Sequence, residues 1–217
     1  MTILPSPHQR WSHSTNSLSK LFIALEDSSI TAVEADILMG HVAPDPSGNS
    51  SSSADEPIMA HPPHTQSDLS SRHFLDLVTS SLIVNTRNGR RLSKHIKLDF
   101  KEMHAVEPTL LALKNLAPID SINGPDDSEK IQTVFLNADI FLGPGKRTQS
   151  GHLDAHGFVK ICLRNIKQLQ EIDVAVPFAF SLGFRVDYKS KQRYSTEDCQ
   201  LMMDIVDQYS LSSKAGT

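Results

Sequence analysis

Cysteine is scarce in this chain, with two in 217 residues. Cys162 and Cys199 have neither CxxC spacing nor the number needed for a disulfide framework, so they read as small buried hydrophobes. Basic charge is also short: 21 Lys and Arg stand against 25 Asp and Glu, a net charge of -4, and aromatics make up 6%. A nucleic-acid platform of basic and stacking residues is therefore excluded. No apolar run approaches the ~18 residues of a membrane span, so no transmembrane segment is expected. Met1 to Arg10 lacks the apolar core of a signal peptide, which points to a cytoplasmic location. The length suits one sizeable core and is short for two. A single domain over residues 11–209 is expected, with an N-terminal extension at 1–10 and a polar tail at 210–217.

What is present is an alternation of strand and helix signals. Arg10 to His13 suits a short extended segment, and Asn16 suits a helix N-cap ahead of Leu18, Leu21, Phe22 and Leu25, spaced i, i+3, i+4, i+7. Residues 32–39 suit a strand ending at Gly40. Residues 41–56 are a low-complexity Ser/Pro/Gly/Asp stretch that reads as a disordered surface insertion. Pro57 to His61 is a brief apolar run closed by Pro62 and Pro63. Asp68 can cap a helix reaching Val84, with Asn88 and Gly89 beyond it, and a strand at 95–101 follows. Glu107 and Pro108 open a helix that Pro118 closes, and Asn123 to Asp127 is turn-rich. A strand at 131–140 leads to the turn Gly143, Pro144, Gly145, then to a helix at 152–170. A strand at 179–184 and a helix capped by Thr196 complete the pattern, with Glu197 and Asp198 in its first turn and Cys199, Met202, Met203 and Val206 inward. Such alternation favours a parallel α/β fold with right-handed crossovers.

Three of these strands carry polar residues two apart among apolar ones: Glu34 and Asp36, then Lys97, Asp99 and Lys101, then Asn137 and Asp139. In a strand, i and i+2 share a face, so each segment sends its polar set one way and its apolar set the other. One such segment alone reads as a solvated face. With helices over the apolar faces, three of them direct their polar sets into a shared interior. There Glu34, Asp36 and Asp99 form a three-carboxylate cluster flanked by Lys101, which needs a divalent cation to be tolerable. The alternative is an ion network of Lys97, Lys101 and Asp99 that only fixes register. His61 with His64, and His152 with His156, have spacings zinc can use, but neither pair has a cysteine or third ligand nearby in sequence. The Gly143 to Gly145 turn is not followed by the Lys-Ser/Thr of a phosphate-binding loop.

Six strings together carry a family likeness: Trp11 to Ser17, Glu34 to Leu38, Ile58 to Pro63, Lys97 to Lys101, Leu136 to Ile140 with Gly143 to Gly145, and Ser181 to Phe184. In order and approximate spacing they resemble the menorin family, from Trp11 to about Tyr209. The menorin domain in turn is similar to the phosphodiesterase superfamily that includes phosphatidylinositol-specific phospholipase C, glycerophosphodiester phosphodiesterases and spider-venom phospholipase D. That resemblance implies a TIM-type (β/α) barrel. About six strands are counted here against the eight of a closed barrel, so a barrel truncated after about six strands is expected.

The resemblance also implies site roles. Glu34, Asp36 and Asp99 correspond to the ligands of one Mg²⁺ or Ca²⁺. His13 and His61 correspond to an acid/base pair, without assignment of which is acid, and Lys101 to a residue beside the phosphate. Lys97, Asn137 and Asp139 are expected to line the pocket. Taken alone, each histidine reads equally well as structural. Two functions follow as expectations. One is metal-dependent cleavage of a small-molecule or lipid phosphodiester, glycerophosphodiester or lysophospholipid-like. The other is a non-catalytic menorin-type module that binds a protein partner.

Overall fold

The computed structural model describes residues 9–43, 54–84, 94–115, 133–144, 152–172, 176–187, 189, 191 and 193–211. Expectations for residues 1–8, 44–53, Asn88, Gly89, Pro118, residues 123–127, Gly145 and 212–217 lie outside them.

Five parallel strands form the main sheet, in the order β1 (Trp11–Ser12), β2 (Ala32–Val42), β5 (His95–Phe100), β6 (Val134–Leu142) and β7 (Phe178–Arg185). Two more strands attach to β2: β3 (Glu56–Met59) runs antiparallel along its carboxyl half, and β4 (Gln66–Ser67) pairs with His41 and Val42. Five helices, α1 (Leu18–Glu26), α2 (Ser71–Val84), α3 (Val106–Ala112), α4 (Ala155–Gln170) and α5 (Thr196–Gln208), fill the crossovers and the end of the chain. No helix among the described residues is long and apolar enough to cross a membrane.

Parallel register fixes which residues share a face. Val33, Ala35 and Ile37 align with Ile96, Leu98 and Phe100, and these with Val134, Leu136 and Ala138. All nine side chains are buried in one apolar cluster with Leu21 and Leu25 of α1, Phe74 and Val78 of α2, Leu110 of α3 and Phe158 of α4. Phe158 locks α4 down by packing its ring 5.8 Å from Phe100 and 6.5 Å from Phe180. The opposite face carries the alternate residues: Glu34 level with Lys97 and Phe135, then Asp36 level with Asp99, Asn137 and Ser181, then Asp139 beside Gly183.

That face is concave. Trp11 on β1 and Phe135 on β6 are three strand spacings apart, about 14 Å in a flat sheet. Their ring centroids nevertheless stand 5.9 Å apart. The curl does not close. Among the described residues β7 pairs only with β6, and β1 only with β2, so the sheet ends in two edges. The TIM-type barrel implied by the resemblance, truncated after about six strands, is thus corrected to a curled parallel half-barrel with β3 and β4 attached to one strand. The α/β class stands.

Several element boundaries also move. β2 runs past Gly40 to Val42, and β3 begins at Glu56, so both ends of the 41–56 stretch are strand. Ser17, not Asn16, caps α1, accepting from the Lys20 N–H. Asp68 lies before α2 and accepts instead from the Leu18 N–H at the start of α1, 3.1 Å away. Ser195 caps α5, in a reciprocal capping box with Asp198. On α5 only Ile205 is buried; Cys199 is exposed and Met203 points to solvent, whereas Cys162 is buried in the core.

Candidate functional site

Adjacent positions on β2 and β5 bring the carboxylates together. Glu34, Asp36 and Asp99 each offer an oxygen within 4.8 Å of the others'. Glu34 and Asp36 are almost wholly buried, at 2% and 3% exposure. Three carboxylates with so little water need compensation, and each finds a different amount.

Asp36 is the most fully held. Its Oδ2 accepts from the Asn16 side-chain amide at 2.8 Å, and the same amide's carbonyl accepts from the Asp36 N–H at 2.9 Å. Its Oδ1 pairs with the Lys101 Nζ at 3.0 Å, and that Nζ reaches Asp99 Oδ2 at 2.8 Å. Burial alone would depress the Lys101 ammonium, but Asp99 and Asp36 outweigh it and hold it above the ordinary lysine value.

Glu34 is the least satisfied. Ser14 sits in the left-handed region at φ 51, a conformation costing a non-glycine residue about 1–2 kcal/mol, and there donates its N–H to Glu34 Oε2 at 2.7 Å. His13 approaches the same oxygen at 3.6 Å. Oε1 is buried without a partner among the described residues. Burial pushes this carboxyl above its ordinary value; the Ser14 N–H opposes that, Asp36 and Asp99 add to it, and His13 counters it.

His13 is largely exposed, and its Nδ1 shares a 3.0 Å hydrogen bond with Ser14 Oγ. His61 is exposed elsewhere, in a cavity of about 300 Å³ that it shares with His64, Gln66, Asp68 and Asn16. A carbonyl only accepts, so the 2.7 Å contact from His61 Nδ1 to the Pro62 carbonyl places a proton on Nδ1. In the neutral ring Nε2 then carries the lone pair. Asn16 connects the two regions, lining the cavity while its amide holds Asp36. The structure thus gathers Glu34, Asp36, Asp99 and Lys101, sets His13 at their edge, and leaves His61 in the neighbouring cavity.

Further along the concave face, Asn137 lies beside Asp99, and Lys97 lies between Glu34 and Phe135. Asp139 is half-buried with its carboxyl against Gly183, where a Cβ would stand 2.7 Å from Oδ1. Burial raises this carboxyl above its ordinary value; Asp99 adds to the rise, while Lys101, Arg185 and Lys97 oppose it. Asn16 and Ser14 hold Asp36 and Glu34 by hydrogen bonds that alternation could not identify. The one sequence signal the two share is membership of the Trp11 to Ser17 string.

As ligands, three carboxylates suit a hard divalent ion. Oxygens on opposite sides of a Ca²⁺ ion stand about 4.6–5.2 Å apart, so a spread within 4.8 Å is of the size one such ion spans. The orphaned Glu34 Oε1 is the acceptor such an ion would satisfy.

Comparison with known proteins identifies the family. No solved structure matches the chain. The human protein FAM151B is 34% identical over 149 residues, which cover 69% of this chain and 42% of that relative, so the chain spans less than half the relative's length. Residues 8–214 match the model of the Menorin N-terminal domain. The half-barrel with its acidic floor is accordingly the setting of that domain here, and this chain belongs to the menorin family.

Proposed function

We propose that this chain is a divalent-cation-dependent phosphodiesterase acting on a glycerophosphodiester or lysophospholipid-like substrate, with Glu34, Asp36 and Asp99 holding one Mg²⁺ or Ca²⁺. The observation that carries the reading is the buried Glu34 carboxylate, which keeps one oxygen unpartnered beside two further carboxylates within 4.8 Å. Lys101 offsets Asp36 and Asp99, but a carboxylate oxygen buried without a partner, as Glu34 Oε1 is among the described residues, is a costly arrangement.

The ion, when bound, neutralises the phosphate and stabilises charge developing on its equatorial oxygens. The chain's own residues supply the rest. Lys101 adds a second positive charge at the cluster. Asn16 and Ser14 fix Asp36 and Glu34 in place, so their geometry is set before substrate arrives. Hydrolysis forms a bond from water oxygen to phosphorus and breaks the bond from phosphorus to the leaving alkoxide. One imidazole takes the proton from water and the other returns one to the alkoxide. His61, with its lone pair on Nε2, suits the accepting role, and His13 stands nearest the carboxylates.

The test is release of alcohol or phosphomonoester from glycerophosphodiesters and lysophospholipids in Mg²⁺ or Ca²⁺, alongside calorimetry of ion binding. Asp36→Asn is expected to abolish binding and turnover together. His13→Ala and His61→Ala are each expected to lower turnover about 10²–10⁴-fold while sparing ion binding. Activity that survives both histidine changes at once would overturn the mechanism, and a wild-type chain that takes up no divalent ion would leave a binding module instead.

A further inference from the structure

The Lys101 ammonium stands where an incoming cation must act. It bridges Asp36 Oδ1 and Asp99 Oδ2 at 3.0 and 2.8 Å, so it already neutralises two of the three carboxylates. The other Asp36 oxygen is held by the Asn16 amide. Of the three carboxylates, only Glu34 keeps a buried oxygen without a partner among the described residues. A divalent ion seated among these groups would face a like charge on the same two carboxylates, and of the groups engaged there the lysine has the longest flexible stem.

The neighbouring strand offers the ammonium a place to go. Phe100, the last residue of β5, pairs with Ala138; Lys101 is the next residue of the chain after the one, and Asp139 the next along β6 after the other. The Asp139 side chain is directed across the space left by Gly183, and among the cations acting on its carboxyl Lys101 acts most strongly. Asp139 takes part in none of the ion pairs found among the described residues.

We infer that Lys101 is a built-in competitor of the divalent ion: it clamps Asp36 and Asp99 together until the ion arrives, then crosses to Asp139. This deepens the proposed reading of Glu34, Asp36 and Asp99 as a cation site and rests on it. The crossing keeps the positive charge of Lys101 at the site after the ion has bound, one strand further over. It also makes ion affinity depend on Asp139, a residue outside the ligand set.

Mn²⁺ titration of the intact chain by calorimetry and by loss of the free-ion paramagnetic signal tests this in four proteins: wild type, K101M, D139N and the double variant. K101M is expected to bind Mn²⁺ about tenfold more tightly, because the competitor is gone. D139N is expected to weaken Mn²⁺ several-fold in the wild-type background and to change nothing in the K101M background, since no ammonium then needs a resting place. K101Q serves in place of K101M if the latter does not fold. Mn²⁺ affinity within twofold of wild type after loss of the lysine charge, or an equal D139N penalty in both backgrounds, would overturn the exchange while leaving the cation site intact. No Mn²⁺ binding in any of the four would overturn the site itself and the exchange with it.

Discussion

At the residue scale, burial without full compensation recurs on the concave face, and His95 gives a measurable case. It is 3% exposed, its Nε2 shares a 2.7 Å bond with the Gln9 side-chain amide, and its ring packs 5.8 Å from Phe135. Burial holds its pKa below the ordinary 6.5. Between those two values the unfolded chain binds a proton that the folded chain refuses. The contribution of His95 to stability is therefore fully present above pH 6.5 and is lost as pH falls through the folded value. Urea denaturation at pH 7.5 and pH 5, followed by the fluorescence of the single tryptophan, Trp11, is expected to show a smaller acid-induced loss in His95→Phe than in wild type. Equal losses would remove His95 from the pH response. The grouping of Glu34, Asp36 and Asp99 on one face was legible in the sequence, because a period of two is local information. The parts played by Asn16 and Ser14 were not. That an asparagine before a helix spends its amide on a strand 20 residues later, or that a serine turns left-handed to aim an N–H, depends on contacts that only the folded chain brings about.

At the element scale, β2 organises the structure, and its glycine was the most misleading residue in it. Gly40 looks like a strand terminator, yet the strand continues to Val42 because β3 and β4 both converge there. A Cβ at Gly40 would collide with the Thr65 carbonyl and stand 2.6 Å from the Ile58 side chain. The carbonyl is fixed, since it accepts from the His41 N–H at 3.0 Å. Gly40→Ala is accordingly expected to destabilise the fold by about 1–3 kcal/mol, read as a lower urea midpoint. An unchanged midpoint would mean that the β2–β4 contact yields without cost. The helices were legible where an apolar face repeats at i, i+3 and i+4, as along α4. Their caps were less so, because neighbouring polar residues compete for the role: Asn16 beside Ser17, and Ser195 beside Thr196.

At the scale of the whole molecule, alternation of strands and helices revealed a parallel α/β sheet but not how far it curls. Closure requires the last strand to find the first, and no local pattern in Trp11–Ser12 or Phe178–Arg185 encodes that pairing. Ion binding offers a global readout of the proposed site. A ligand at one hundred times its dissociation constant stabilises a fold by about 2.7 kcal/mol, which for a chain of this size raises the melting temperature by about 5–10 °C. Ca²⁺ or Mn²⁺ is expected to produce that rise in wild type and not in Asp36→Asn; equal shifts in the two would assign the effect to some other location.

One strand hydrogen-bonds to β1, β3, β4 and β5 alike, and it is the strand that bears Glu34 and Asp36. Deleting that ribbon would leave β1, β3 and β4 without an anchor and cut β5 loose on one side, whereas changing two letters on it would leave the ribbon whole. A relative that changed those two letters would therefore lose the paired carboxylates by spelling and keep its outline, so shape alone is a poor guide to which relatives carry them.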